Sequence, residues 1–414
     1  MILKAKKIEY EGDSMHISSR VISESLADSI PDTLSFTLPK TYQSSIPEDM
    51  NGFLTALLPV AMFAGEDIHV EGSVSTTLLY NLREYQKTLH FWRPQWFSIV
   101  AVTYDSLAPS DIVQRPQGIM SSFSGGADSM YTFLSHLPEY EENPDFQMTH
   151  TLFIESFDTP IIDHPTQRNK VVAYGALMEK LDIAFVPCAT NAKDFYYFNN
   201  GYAMAMTYPA MLIGVAQLIG KKIGTFHYSA DNTHDFPMIS TISHTLVPLL
   251  STDALRADVF GASVTKMEKL ERIVLWPESY EHLTVCWEKP DGLHNCGECV
   301  KCCHTTAGLD MLGALEKYTT FPPTVNRQKI RSRLQNPEFF YFSKTWAEFA
   351  RAYGRKDYVF DFTYVLWRNR ILHFFIFPIS HFFTKLIRTP FVISKKLKEY
   401  SPWYARFIYL IKKT

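Results

Sequence analysis

Several things are scarce in this chain, and each shortage removes a class of protein. No long apolar stretch follows the lysines of "MILKAKKIEYEGDS", so no secretory signal peptide is expected and a cytoplasmic location is. Six cysteines in 414 residues are too few for a disulfide scaffold. Four of them cluster, which fits a reducing compartment and a metal site. Net charge is only −3, so the molecule as a whole is not a general nucleic-acid binder, although a local basic region can be one. No internal repeat or low-complexity tract is visible. What remains is ordinary for a globular protein, with 46% hydrophobic and 20% charged residues, and the length allows two or three domains.

Residues 1–115 read as a small α+β domain. "DTLSFTLP", "EDIHVEG" and "FSIVAVTYD" have strand character, from alternating or clustered apolar and β-branched residues. "NGFLTALLPVAMFAG" reads as a buried helix between Asn51 and Gly65. "STTLLYNLREYQKTLHFW" has helical spacing, with Ser75 as its N-cap. No titratable cluster stands out in this region, so a structural or docking role is expected. After a linker at 110–118 the pattern changes to strand, turn and helix, repeated. Strands "GIMSSF", "MTHTLFIESFD", "IAFVPCAT" and "KKIGTFHYSA" alternate with helices "HPTQRNKVVAYGALMEKL" and "MTYPAMLIGVAQLIG". That alternation predicts an α/β fold over 116–310, a parallel sheet with helices on both faces. Right-handed crossovers place the polar ends "SGGADS", "ESFD" and "HYSADN" on one edge, where ligands bind in such sheets.

"SSFSGGADSMYTFL", residues 121–134, is the most informative of these ends. Glycines permit positive φ and close backbone approach, and the first amides of the following helix point at whatever lies beyond it. Ser124, Gly125, Gly126, Asp128 and Ser129 therefore form a candidate anion cradle, with both hydroxyls as further donors. Asp128 would repel a phosphate unless it holds a neutralising metal ion. No lysine follows the glycines, so this is not the G-x-x-x-x-G-K-[ST] loop, nor is it G-x-G-x-x-G. A Gly-Gly turn by chance accounts for the glycines only.

Cys286, Cys296, Cys299 and Cys302 are spaced C-x9-C-x2-C-x2-C in "CWEKPDGLHNCGECVKC". Such spacing closes four thiolates around one tetrahedral ion, with Gly297 making the tight turn. Zinc suits it better than an iron–sulfur cluster. A four-thiolate zinc has no open position, so its expected role is to pin the loop. Cys188 and Cys303 read as small buried residues.

"SGGADS" resembles the PP-loop of ATP pyrophosphatases, which split ATP into AMP and pyrophosphate. Together with the cysteine cluster, residues 116–306 resemble the 7-cyano-7-deazaguanine synthases. Thr284 and Cys286 are matched to that family's Thr-x-x-Cys-like element, and the first cysteine spacing is one residue longer. The resemblance implies an ATP-dependent, magnesium-assisted activation of a carboxylate on a 7-deazaguanine, followed by amide or nitrile formation. It makes Asp128, Ser129 and Lys266 the catalytic candidates, Lys266 from "ASVTKMEKLERI" toward the phosphates. Asp231 and Asp235, in "SADNTHDFP", become candidates for the substrate side; a solvated loop or helix charge is the plain reading of Lys266, Asp231 and Asp235. The chain departs from the family by its long extensions on both sides and by "HDFP" in place of an acidic "YPD" element. Long relatives of this kind resemble proteins of antiviral defence islands, which implies a protein or nucleic-acid acceptor docking on the extensions. A homodimer is compatible with the reading. Two alternatives stand beside it: a tRNA-thiolating enzyme, for which only Cys188 is placed in the sheet, and a nucleotide-binding protein without turnover.

Residues 311–414 read as a helical C-terminal region. From 365 onward ten lysines and arginines face one acid, Glu399, with aromatics between them. The apolar run 371–383 is broken by His373, Pro378 and His381 and is short for a membrane span. Three readings compete: a helix packing its aromatics on the core, a docking surface for a protein or nucleic acid, and an interfacial membrane helix. Membrane association is the least expected of them.

Overall fold

The structure is a computed structural model that describes residues 1–109, 115–155, 164–196, 201–234, 243–288, 292–335 and 337–387. The chain divides into two compact units, Met1–Cys296 with Glu316–Pro322, and Gly297–Leu315 with Pro323–Thr414.

The first unit is α/β and is built, among the described residues, on one sheet of eleven strands. They are β1 (Ile2–Leu3), β2 (Lys7–Glu11), β3 (Ser14–Ile22), β4 (Thr33–Pro39), β5 (Ile68–Val74), β6 (Val102–Leu107), β7 (Gly118–Ser122), β8 (His150–Glu155), β9 (Ala184–Thr190), β10 (Ile223–Ser229) and β11 (Arg256–Phe260). Their order is β11-β10-β7-β8-β9-β4-β3-β1-β5-β6, with β2 paired to β3. The section β11-β10-β7-β8-β9 is parallel throughout, as the alternating pattern predicts. The sheet does not stop there. β4 pairs antiparallel with β9, Phe36 opposite Thr190, so the N-terminal strands extend the same sheet and make it mixed. Asn191 pins the joint: its Oδ1 accepts from the Ser35 amide at 2.9 Å and its Nδ2 donates to the Thr33 carbonyl at 2.8 Å.

Helices α1 (Asn51–Ala64), α2 (Thr76–Trp92), α3 (Ala127–Ser135), α4 (His164–Lys180), α5 (Ala192–Phe195), α6 (Gly201–Gln217), α7 (Ser243–Leu246), α8 (Lys266–Ile273) and α9 (Ser279–His282) complete this unit. α1 is apolar on all sides and is buried from Asn51 to Met62. It ends on Gly65 in the left-handed region (φ 68°), the usual helix stop. α1 meets α6 through glycines. A Cβ on Gly52 would lie 2.5 Å from the Gly214 carbonyl oxygen, and one on Gly214 would lie 2.7 Å from that of Gly52.

Strand pleating sorts the two faces. Met120, Leu152, Val186 and Phe226 join the core that holds α1 and α6. Phe123, just past β7, turns to the other side, its ring 5.1 Å from Phe133 of α3 and 5.2 Å from Tyr174 of α4. The parallel section thus has helices on both faces. Its chain runs from β7 outward through β8 to β9, then returns to β10 on the opposite side of β7. The strand order therefore reverses between β7 and β10, the kind of place at whose carboxyl edge open α/β sheets bind ligands.

The second unit is helical: α10 (Val300–Met311), α11 (Arg327–Ser332), α12 (Phe340–Ala352) and α13 (Lys356–Ile387). Trp346 stacks on Phe362 at 5.8 Å, and Arg327 Nε donates to the fully buried Asp361 carboxylate at 2.5 Å. Among the described residues no helix is long and apolar enough to cross a membrane.

Candidate functional site

The turn between β7 and α3 lies at that reversal point. Gly126 is the N-cap of α3, and the first intrahelical bond runs from the Met130 amide to the Gly126 carbonyl at 2.9 Å. The amides of Ala127, Asp128 and Ser129 precede it and have no carbonyl of their own helix to reach. Gly125 has φ +77°, and a Cβ there would sit 1.9 Å from Tyr174 Oη. Glycine is thus required twice over, by conformation and by contact.

The two serines shape the cradle from inside. Ser124 Oγ accepts from the Gly126 amide at 3.3 Å and lies 3.1 Å from Ser129 Oγ. Ser129 Oγ donates to the Gly126 carbonyl at 3.0 Å and accepts from the Ser124 amide at 3.2 Å. Their hydroxyls hold the turn in shape.

Asp128 is occupied as well. Lys266 Nζ donates to its two oxygens at 2.5 and 2.6 Å, and Lys269 Nζ reaches Oδ1 at 3.0 Å. Burial alone would raise this carboxyl, but the two lysine charges outweigh burial and hold it below the usual range. The two lysine ammoniums neutralise the Asp128 carboxylate. Burial and the charge of Lys269 bring Lys266 down, against the pull of Asp128.

Lys269 is the residue that sequence reasoning missed. Only 2% of it is exposed, and its ammonium also donates to the Ala230 carbonyl at 2.6 Å. A usable signal existed: Lys269 is three residues after Lys266 and so on the same face of α8. That helix opens with a capping box, Thr265 accepting from the Glu268 amide while Glu268 accepts from that of Thr265. Asp231 follows β10 and feels the charges of Asp128, Lys266 and Lys269. Its residue surface is open to solvent, yet the chain packed around the carboxyl raises it, and Asp128 adds to that. Asp235 lies outside the described residues.

The cysteine cluster is compact. The Sγ atoms of Cys286, Cys296, Cys299 and Cys302 all lie within 4.8 Å of one another, and these four can hold a metal ion such as zinc. Gly297 has φ +67°, and the Cys302 amide donates to Cys299 Sγ at 3.3 Å. A buried amide not anticipated from the sequence fixes the first arm. Asn295 Oδ1 accepts from the Val285 and Cys286 amides at 2.8 and 3.0 Å, and its Nδ2 donates to the Leu283 and Thr320 carbonyls at 3.0 and 3.1 Å. The same arm touches the cradle, since the Thr284 amide donates to the Gly125 carbonyl at 2.8 Å. The loop that carries Cys286 thus supports the glycine turn directly.

The two remaining thiols are buried, Cys188 within β9 and Cys303 within α10. Burial pushes the Cys188 thiol far up, and Glu155 adds to this. Among known proteins the chain matches no family model, no curated protein and no solved structure.

Proposed function

We propose that the β7–α3 turn is a phosphate cradle and that the chain is an ATP-dependent adenylating enzyme of the PP-loop ATP pyrophosphatase kind. One observation carries the reading. A helix N-terminus behind a glycine turn and two lysine ammoniums converge at the point where the strand order reverses. Backbone amides and ammonium groups are the donors that a polyphosphate needs, and this is the place where open α/β sheets bind nucleotides. Bound ATP supplies an electrophilic α-phosphorus, which a substrate carboxylate oxygen attacks with release of pyrophosphate.

The chain's own part is to place charge. Asp128 holds both ammoniums at the mouth of α3, where an incoming anion meets them. Lys269, buried and tied to Ala230, stays in position while Lys266 is free to exchange partners. Asp231 stands beside them on the substrate side. The cysteine cluster holds zinc, and with four thiolates it has no open position for chemistry. Its task is to fix the Thr284 arm beneath Gly125. By resemblance the substrate is a carboxylate on a 7-deazaguanine-type base, converted to an amide or nitrile or passed to a macromolecule in a defence setting.

The thiolation reading needs a reactive thiol. Cys188 is fully buried with its thiol pushed up, and Cys303 is buried too, which disfavours that alternative.

Equilibrium binding of ATP to the full chain tests the proposal. Binding is expected in the parent and is expected to weaken by about tenfold or more in Lys269→Met, the loss of one desolvated phosphate contact. ATP affinity equal in parent and variant, or none in the parent, overturns the assignment of the cradle.

A further inference from the structure

We infer that the outer face of α13 is a docking surface for an anionic lipid bilayer. α13 packs on its neighbours through Tyr358, Asp361, Phe362, Val365 and Asn369, all of them buried. Its opposite face is aromatic. Phe360 is 59% exposed, Tyr364 37%, Trp367 60% and Phe374 73%. These positions, with the half-buried Ile371 between the last two, recur at intervals of four and three residues and so form one stripe along the helix. Phe360 and Tyr364 stack on each other at 6.1 Å, and the Arg368 guanidinium lies over the Tyr364 ring at 5.9 Å. Lys356 and Arg370 are the exposed cations beside the stripe.

Residue type selects the occupant. A seam for a second helix wants Leu, Ile and Val, which fit between the side chains of a partner. Phe, Tyr and Trp flanked by lysine and arginine are what the headgroup level of a bilayer takes. Charge points the same way. The chain holds 40 lysines and arginines against 43 acids, and residues 365–414 carry ten of the former and one of the latter. The basic end is therefore attached to a body with an excess of acids, and an anionic surface attracts the one while repelling the other. No helix needs to cross the membrane for this; the chain lies on the surface with its aromatics at headgroup depth.

Co-sedimentation of the full chain with phosphatidylcholine vesicles, with and without a one-third fraction of phosphatidylglycerol, tests the inference. Binding is expected to the mixed vesicles only, to fall as salt is raised, and to drop by about tenfold or more in Phe360→Ser/Trp367→Ser. Both substituted residues are exposed, and the salt series on the parent needs no variant at all. Three results would overturn the inference. One is failure to bind mixed vesicles. Another is equal binding to neutral and anionic vesicles. The third is a dimer, or retention on nucleic acid, that the double substitution abolishes while vesicle binding is absent.

Discussion

Mild acid should loosen the sheet, most of all through one histidine. His227 on β10 is 8% exposed, and its ring stacks on that of His136, at the end of α3, with centroids 4.3 Å apart. The edge of Phe260 closes over His136 at 4.5 Å. Among the described residues neither nitrogen of His227 meets a protein hydrogen-bond partner. Burial, with His136 and Arg256 adding to it, lowers His227 from 6.5 to about 3. Around it stand His136 from α3 and, from β11, the ion pair of Arg256 and Asp258 at 2.6 Å. Glu141 acts on His136 from beyond α3.

A depressed imidazole means that the unfolded chain takes up a proton near pH 6.5 that the folded chain refuses until about 3. Stability from this group is therefore complete above the unfolded value and is lost as pH falls toward the folded one. Each pH unit in that window costs about 1.4 kcal/mol, so acidification from about pH 6.5 to about pH 5 removes roughly 2 kcal/mol. Asp128 and Glu66, both depressed, contribute at lower pH. The raised carboxyls of Asp49 and Asp231 act with the opposite sign. These four, and the depressed imidazoles of His136, His150 and His244, are common to the parent and to His227→Phe, so the difference between the two reads His227. Phenylalanine keeps a flat ring against His136 and cannot titrate. Urea unfolding of both proteins across this range should show the variant's pH slope smaller by about one proton. Equal slopes, or a His227 imidazole that titrates near its ordinary value by NMR, would refute the reasoning.

Two further perturbations test the cradle and its support. Gly125→Ala adds the left-handed backbone penalty of about 1–2 kcal/mol to a collision with buried Tyr174. Tyr174→Phe should not rescue it, because a Cβ at Gly125 also lies 2.6 Å from Cζ. Thermal melts of the single and double variants check this, and a stable double variant counts against the geometry. Asn295→Ala removes a hydrogen bond from each of four backbone groups, of which the Leu283 and Thr320 carbonyls keep another donor, and should cost about 2–4 kcal/mol and lower the metal content of purified protein. Metal analysis beside Cys299→Ser gives the comparison, and full metal occupancy in either variant argues against the site as drawn.

Much of this fold shows in local sequence. The helix from Asn51 to Gly65 and the Ser75 cap are where pattern places them, and Ser75 Oγ accepts from the Leu78 amide at 3.1 Å. The parallel strands β7 to β10 follow from apolar runs bounded by turns. β2 escapes notice because all five of its residues are exposed and no face alternates. β3 does alternate, but its serines and histidine blur the pattern. β11, "RADVF", is short and half polar. The join of β4 to β9 links residues far apart in sequence, and no local pattern encodes such a pairing. At the site, the glycine turn and the four cysteines are legible because their chemistry demands fixed residues at fixed spacing. Lys269, Tyr174 and Asn295 are not, because each acts through contacts made only in three dimensions.

On the proposed function, a carboxylate oxygen attacks the α-phosphorus of ATP at the β7–α3 turn. The most direct test incubates the full chain with ATP, magnesium, ammonia and 7-carboxy-7-deazaguanine whose carboxylate carries a heavy-oxygen label. Mass spectrometry then reads the nucleotide products. AMP with one labelled oxygen, beside unlabelled pyrophosphate, is the predicted result. ADP as the main product, or AMP whose new oxygen comes from water, would contradict it.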